Sequence, residues 1–263
     1  MPHIDVQGLS IAYEREGTGP PLVLLHGYVG DGKSSWGNQL NTLSDQFTVI
    51  VWDAPGAGGS ADPPEDFGIA GYADCLADFV VGLGVERAHV GGLSFGGALA
   101  LALAQRRPAI AQSLVLVSAY AGWAGSLPHD VAGARLAQAL SLSEDSPADF
   151  VGALLPSMFA TSPSMRDLEM CEASVRRFHP IGFRAMARAS FEDLRPGLGA
   201  IDVPALLVYG EKDERAPRTV AEALHAALRD SHLVVLPDTG HVCTLESPTS
   251  VDREIRAFLS ALG

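Results

Sequence analysis

Gly92-Leu-Ser94-Phe-Gly96 sets a serine between two glycines, the spacing of a sharp strand-to-helix elbow that exposes a hydroxyl nucleophile. The flanks fit that turn. Ala88-His-Val-Gly91 reads as a strand, and Gly97-Ala-Leu-Ala-Leu-Ala-Leu-Ala104 as a helix. A serine hydroxyl is a weak nucleophile at neutral pH and needs an adjacent base, itself oriented by an acid. Downstream, the apolar run Ala205–Tyr209 leads into Glu211-Lys-Asp213, and His232–Leu236 leads into Pro237-Asp-Thr-Gly-His241. Asp213 and His241 therefore fall just past the C-terminal ends of two strands, the edge where sites assemble in open α/β sheets. Glu211, Glu214 and Asp238 stand close by and leave the identity of the acid open. Cys243, two residues beyond His241, is expected to line a site without acting in it.

A second motif competes. Gly27-Tyr-Val-Gly-Asp-Gly-Lys33-Ser34 fits the phosphate-cradling pattern G-x-x-x-x-G-K-S/T and follows the strand Pro21–Leu25. Asp53, at the end of the strand Thr48–Trp52, mimics a magnesium-binding carboxylate. Against this reading, the stretch is locally glycine-rich, Gly37 is expected to break the helix that must dock a phosphate, and Ser94, Asp213 and His241 are left without a role.

The elements that must position these residues follow an α/β rhythm. Strands are expected at Leu9–Glu14, Pro21–Leu25, Thr48–Trp52, Ala88–Gly91, Ser113–Ser118, Ala205–Tyr209 and His232–Leu236. Continuous apolar runs such as Leu22-Val-Leu-Leu25 suit central strands of a parallel sheet covered on both faces. Helices are expected near 36–44, 70–83, 96–107, 216–228 and 247–261, an alternation that predicts crossover connections. Between about Gly122 and Pro196 the rhythm breaks. Arg135–Leu142, Ala148–Leu155, Met165–Phe178 and Phe183–Ala189 read as helices with no strand between them, so a helical insertion is expected there.

Composition narrows the field. The 263 residues are 47% hydrophobic and 19% charged, which suits one compact domain with an insertion. Eighteen Lys+Arg against 31 Asp+Glu give a formal charge of −13, which opposes nucleic-acid binding. No apolar stretch reaches the roughly 18 residues of a membrane-spanning helix. Met1-Pro-His-Ile-Asp5 has no basic head before an apolar segment, so a cytoplasmic protein without a membrane partner is expected. Cys75, Cys171 and Cys243 are odd in number and far apart, which predicts neither disulfides nor a metal cage. Cys75 and Cys171 are expected to be buried thiols, and a homo-oligomer is left open.

Taken together, Leu24-Leu25-His26-Gly27, Asp53-Ala-Pro-Gly56-Ala-Gly58-Gly-Ser60, the elbow at 92–96, Tyr209-Gly210-Glu-Lys-Asp213 and Gly240-His241 resemble the α/β-hydrolase superfamily over essentially the whole chain. The resemblance implies a mostly parallel, doubly wound sheet formed by 1–121 and 197–263, with 122–196 as a helical cap. It implies Ser94 as nucleophile, His241 as general base and then acid, and Asp213 as the group that orients the imidazole. The oxyanion hole would use the amides of Phe95 and Tyr28, and no cofactor or metal is needed. His26 would shape the oxyanion turn, while Asp53 and Ser60 would cap the Gly56–Gly59 loop. Trp123, Met158 and Phe159 are candidates to line the pocket. Among the cap arginines (Arg135, Arg166, Arg176, Arg177, Arg184, Arg188), Arg188 is singled out to clamp a substrate carboxylate. Relatives that dehalogenate or open epoxides attack with an aspartate at the elbow, whereas this chain carries Ser94. The expected activity is hydrolysis of a small-molecule ester or lactone. Carbon–carbon bond hydrolysis on the same triad and a ligand-binding receptor are the alternatives.

Overall fold

The computed structural model describes residues 1–144, 157–160, 164–175, 177 and 179–263. The expected helix Ala148–Leu155 and the side chain of Arg176 lie outside them.

Eight strands form one sheet in the order β1-β2-β4-β3-β5-β6-β7-β8. They are β1 His3–Val6, β2 Leu9–Glu16, β3 Pro21–Leu25, β4 Thr48–Trp52, β5 Ala88–Leu93, β6 Ala111–Val117, β7 Ala205–Gly210 and β8 Ser231–Leu236. β1, β2 and β4 pair antiparallel, and every pairing from β4 onward is parallel. The chain is therefore a mostly parallel α/β sheet, as its apolar runs predict.

Strand parity divides the core in two. Val23 and Leu25, Ile50 and Trp52, Leu114 and Leu116, and Leu207 and Tyr209 face one side. There they meet helices Gly68–Gly82, Phe95–Arg106, Pro180–Phe191 and Arg218–Ala227. Leu22 and Leu24, Val49 and Val51, Val115 and Val117, and Leu206 and Val208 face the other, against helices Gly32–Leu43 and Pro248–Ala261. Both faces are dry, which is why these strands carry so few polar residues.

Two expectations need correction. β1 was not foreseen, because His3-Ile-Asp-Val6 is a short and largely exposed edge strand without an apolar run. Gly37 does not break a helix, since Gly32–Leu43 runs through it. Asp31 starts that helix with a capping box: its carboxylate accepts from the Ser34 amide at 2.8 Å, and Ser34 Oγ accepts from the Asp31 amide at 2.9 Å. Between β6 and β7 the described residues form helices and connecting turns only. Helix Met165–Val175 rests on Gly32–Leu43, and Pro180–Phe191 rests on Gly68–Gly82. Among the described residues no helix is long and apolar enough to cross a membrane.

Candidate active site

β5 ends at Leu93, opposite Val117 of β6, and Ser94 then turns with φ 54° and ψ −110° before helix Phe95–Arg106 begins. Such a backbone costs a residue with a side chain on the order of 1–3 kcal/mol and persists only where its surroundings enforce it. Here the enforcement is the absence of two side chains. A Cβ on Gly92 would stand 2.1 Å from the Gly96 carbonyl, and one on Gly96 would stand 2.2 Å from the Leu25 carbonyl oxygen.

β3 lies beside β5 with Leu25 opposite Gly92, so the chain leaving β3 passes over the elbow. A Cβ on Gly27 would sit 3.8 Å from the Ser94 Cβ. His26 fixes this passage. Its Nε2 accepts from the Ala54 amide at 2.9 Å, and its Nδ1 then carries the proton donated to the Gly27 carbonyl at 2.5 Å. Burial lowers the imidazole pKa despite nearby Asp53 and Asp31, consistent with this neutral form. The amides of Tyr28 and Phe95 meet no hydrogen-bond acceptor among the described residues. Phe95 is the first residue of its helix, where the N–H has no intrahelical partner and the helix dipole favours negative charge.

The three distant side chains converge. Asp213 Oδ2 lies 2.8 Å from His241 Nδ1, and His241 Nε2 lies 3.0 Å from Ser94 Oγ. A carboxylate only accepts, so Nδ1 carries the imidazole proton and Nε2 receives the Ser94 hydroxyl. All three residues are buried. Burial alone would raise the Asp213 pKa, but the interaction with His241 and the hydrogen bonds from His241 Nδ1 and the Ala216 amide outweigh it, leaving the carboxyl below its usual range. Of the neighbouring acids, Glu211 accepts from the Asp238 amide, Asp238 pairs with Lys212 at 2.6 Å, and Glu214 is exposed. The His241 amide donates to the Met158 carbonyl at 3.1 Å, so the segment between β6 and β7 helps hold the histidine loop.

A narrow cavity of about 40 Å3 opens on Ser94 and His241. Tyr28, Val29, Leu93, Met158, Phe159 and Val242 form most of its apolar wall.

Residues 20–248 match the sequence profile of the alpha/beta hydrolase fold. The chain belongs to that family. "Putative carbamate hydrolase RutD" of Pseudomonas savastanoi pv. phaseolicola is 30% identical over 250 residues, 92% of this chain and 94% of the relative. An esterase from Thermogutta terrifontis superposes with a TM-score of 0.89 at 27% identity, covering 100% of this chain and 99% of the other. The enol-lactonase of Burkholderia xenovorans LB400 superposes at 0.86 with 24% identity, over 98% and 100% of the two chains, a likeness of fold.

In this hydrolase, Met158 and Phe159 line the cavity, but two other candidates stand away from it. Trp123 is buried behind Tyr28, its ring edge-on at 5.3 Å, and does not reach the cavity wall. Arg188 is partly exposed and faces Glu65 at 3.8 Å, outside the cavity. Cys171 is half-buried and contributes to the wall, whereas Cys243 is fully buried beneath the His241 loop with its thiol pushed up to about 12 by burial. Asp53 accepts from the Gly59 and Gly32 amides, and Ser60 bonds the Asp53 carbonyl, so both hold the 56–59 loop as expected.

The phosphate-cradle reading of Gly27–Ser34 fails on charge. The N-terminus of helix Gly32–Leu43, where an anion would bind, already holds the buried carboxylates of Asp31 and Asp53. Lys33 points outward to Glu14 at 3.4 Å. Sequence reasoning missed Arg215, whose guanidinium donates to the Tyr28 phenol and to Ser157 Oγ. Its only signal was its place two residues after Asp213.

Proposed function

We propose that this hydrolase cleaves a carboxylic ester or lactone through an acyl-enzyme formed on Ser94. The observation that carries this reading is the continuous hydrogen-bonded chain from Asp213 through His241 to Ser94, with the amides of Tyr28 and of the adjacent Phe95 meeting no acceptor among the described residues.

Ser94 Oγ attacks the carbonyl carbon while His241 Nε2 takes its proton, and the ionised Asp213 stabilises the imidazolium. The tetrahedral oxyanion is held by the Tyr28 and Phe95 amides, each contributing on the order of 3 kcal/mol. The intermediate collapses, the carbon–oxygen bond to the leaving group breaks, and His241 returns the proton to that oxygen. Water then attacks the acyl-enzyme by the same route and releases the acid. Proton transfer through His241 supplies about a hundredfold to ten-thousandfold. In this reading 122–196 is the cap over the nucleophile.

A carbamate presents the same carbonyl to Ser94, and the similarity to a protein named for carbamate hydrolysis makes that bond the first variant to assay. The test of the reading is the Ser94→Ala protein. It should lose p-nitrophenyl acetate hydrolysis by about a thousandfold or more with its circular dichroism unchanged. Undiminished turnover would refute the assignment.

A further inference from the structure

Helix His129–Leu142, in the segment between β6 and β7, buries Ala132 and Ala139 and rests on Pro180–Phe191. Arg135 lies three residues after the first alanine and four before the second, on the same inward stripe. Its side chain is half-buried, and the guanidinium reaches two acceptors from other parts of the chain. Nη1 donates to the Tyr120 hydroxyl at 2.9 Å, and Nη2 donates to the Arg215 carbonyl at 3.1 Å. The planar group also lies against the Tyr120 and Trp123 rings, 5.6 Å from each centroid. Other arginines of the segment face carboxylates: Arg177 pairs with Asp31, and Arg184 and Arg188 pair with Glu65. The hydrogen-bond partners of Arg135 among the described residues are a phenol and a carbonyl, both neutral.

Both acceptors stand directly behind the proposed triad. Tyr120 is buried, with its ring tilted against the His241 imidazole at 6.2 Å between centroids. The Arg215 peptide belongs to the turn that orients the acid. Asp213 Oδ1 accepts from the Arg215 amide at 2.9 Å and from the Ala216 amide at 2.8 Å, which leaves Oδ2 for His241 Nδ1. The carboxylate is thus aimed by backbone amides, and its direction follows the position of the turn. Arg135 grips that turn from outside, through the carbonyl of the residue whose amide holds Asp213.

We infer that Arg135 is a positioning residue for the reaction, fixing the Asp213 turn and the ring behind His241 to helix His129–Leu142 through two hydrogen bonds from one planar fork. The inference rests on the acyl-hydrolase reading above and adds to it a residue that does not line the cavity beside Ser94. Lysine cannot reproduce the fork, because an ammonium is one point of charge where the guanidinium presents two separated N–H groups in a fixed plane.

The test uses the wild-type, Arg135→Met, Arg135→Lys and Tyr120→Phe proteins, each checked for folding by circular dichroism at the assay temperature. Steady-state kinetics on p-nitrophenyl acetate are measured beside the rate of fluorophosphonate labelling at Ser94. Arg135→Met should lower kcat by about tenfold and slow labelling by a similar factor, with KM changed by less than about twofold. Arg135→Lys should stay at least about fivefold below wild type in kcat. Tyr120→Phe keeps the ring against His241 and removes one acceptor, so it should lose about threefold. A folded Arg135→Met protein with wild-type kcat and labelling rate would overturn the inference, as would a rise in KM alone. Where Arg135→Met does not fold, Arg135→Lys decides, and wild-type kcat in that variant overturns the two-point grip. A wild-type protein that neither turns over nor labels would overturn the acyl-hydrolase reading and this inference with it.

Discussion

The guanidinium of Arg215 donates to the Tyr28 phenol oxygen at 3.1 Å, while the Arg215 main-chain amide donates to Asp213 Oδ1 at 2.9 Å. One residue thus ties the loop after β7, which carries the proposed acid, to the chain leaving β3, which carries a proposed oxyanion amide. The phenol ring is held from the other side by stacking on Phe183 at 5.2 Å. Arg215→Met should therefore lower kcat by about tenfold, roughly 1.4 kcal/mol, with KM changed by less than about twofold. Tyr28→Phe should act alike, and the double variant should be little worse than either single one. Steady-state kinetics on all four proteins check this. Additive losses would show that the two groups act separately.

The elbow has no room for a methyl group at position 92. Gly92→Ala would place Cβ 2.1 Å from the Gly96 carbonyl, a clash between backbone segments that no rotamer relieves. The variant should lose about 3 kcal/mol or more of stability, measured by urea unfolding, or fail to accumulate as folded protein. A stable and active Gly92→Ala protein would mean that the turn is looser than these contacts allow.

Lys33 is 61% exposed and pairs with Glu14 on the surface. Lys33→Ala should leave ester hydrolysis within about twofold, as expected for loss of an exposed ion pair worth at most about 1 kcal/mol. Neither protein should show a thermal shift with ATP and magnesium. A large loss accompanied by nucleotide binding would restore the phosphate-cradle reading.

Asp31, at the start of helix Gly32–Leu43, holds the segment between β6 and β7 through Ser174, 2.6 Å from its carboxylate, and Arg177. Its pKa is lowered on folding, so its contribution to stability is complete above the unfolded carboxylate value near pH 4 and is lost as pH falls through the lower folded value. Asp31→Asn should cost about 1–3 kcal/mol at neutral pH. Urea titrations should find that gap constant from about pH 7 to about pH 5 and shrinking below about pH 4. A gap that widens on acidification would contradict the assigned charge state.

The sheet and the candidate triad were legible in the sequence for a common reason. Runs such as Leu22-Val-Leu-Leu25 have to be buried on both faces, and the loops that follow the buried strand β7 and the half-buried edge strand β8 carry Asp213 and His241, so the C-terminal edge of the sheet brings them together. Gly92 and Gly96 announce the elbow because no other residue fits there. What escaped depends on contacts between segments far apart in sequence. Nothing local to Arg215 says that it reaches Tyr28, 187 residues earlier. Arg188 and Trp123 carry suitable chemistry, but their direction is set by Glu65 and Tyr28, partners that only the fold supplies. Gly37 misled in the opposite way: its helix propensity is poor, yet tertiary packing continues the helix through it, with Met170 Cε 3.9 Å from where a Cβ would be.

Ser94 becomes an attacking group, on the proposed mechanism, because His241 accepts its proton. Intact-mass and peptide mass spectrometry after fluorophosphonate treatment address it most directly, using the wild-type, Ser94→Ala and His241→Ala proteins. The wild type should carry one adduct, located at Ser94, Ser94→Ala should carry none, and labelling of His241→Ala should be slowed by at least about a hundredfold. An adduct that persists in Ser94→Ala, or a His241→Ala protein that labels as fast as wild type, would contradict it.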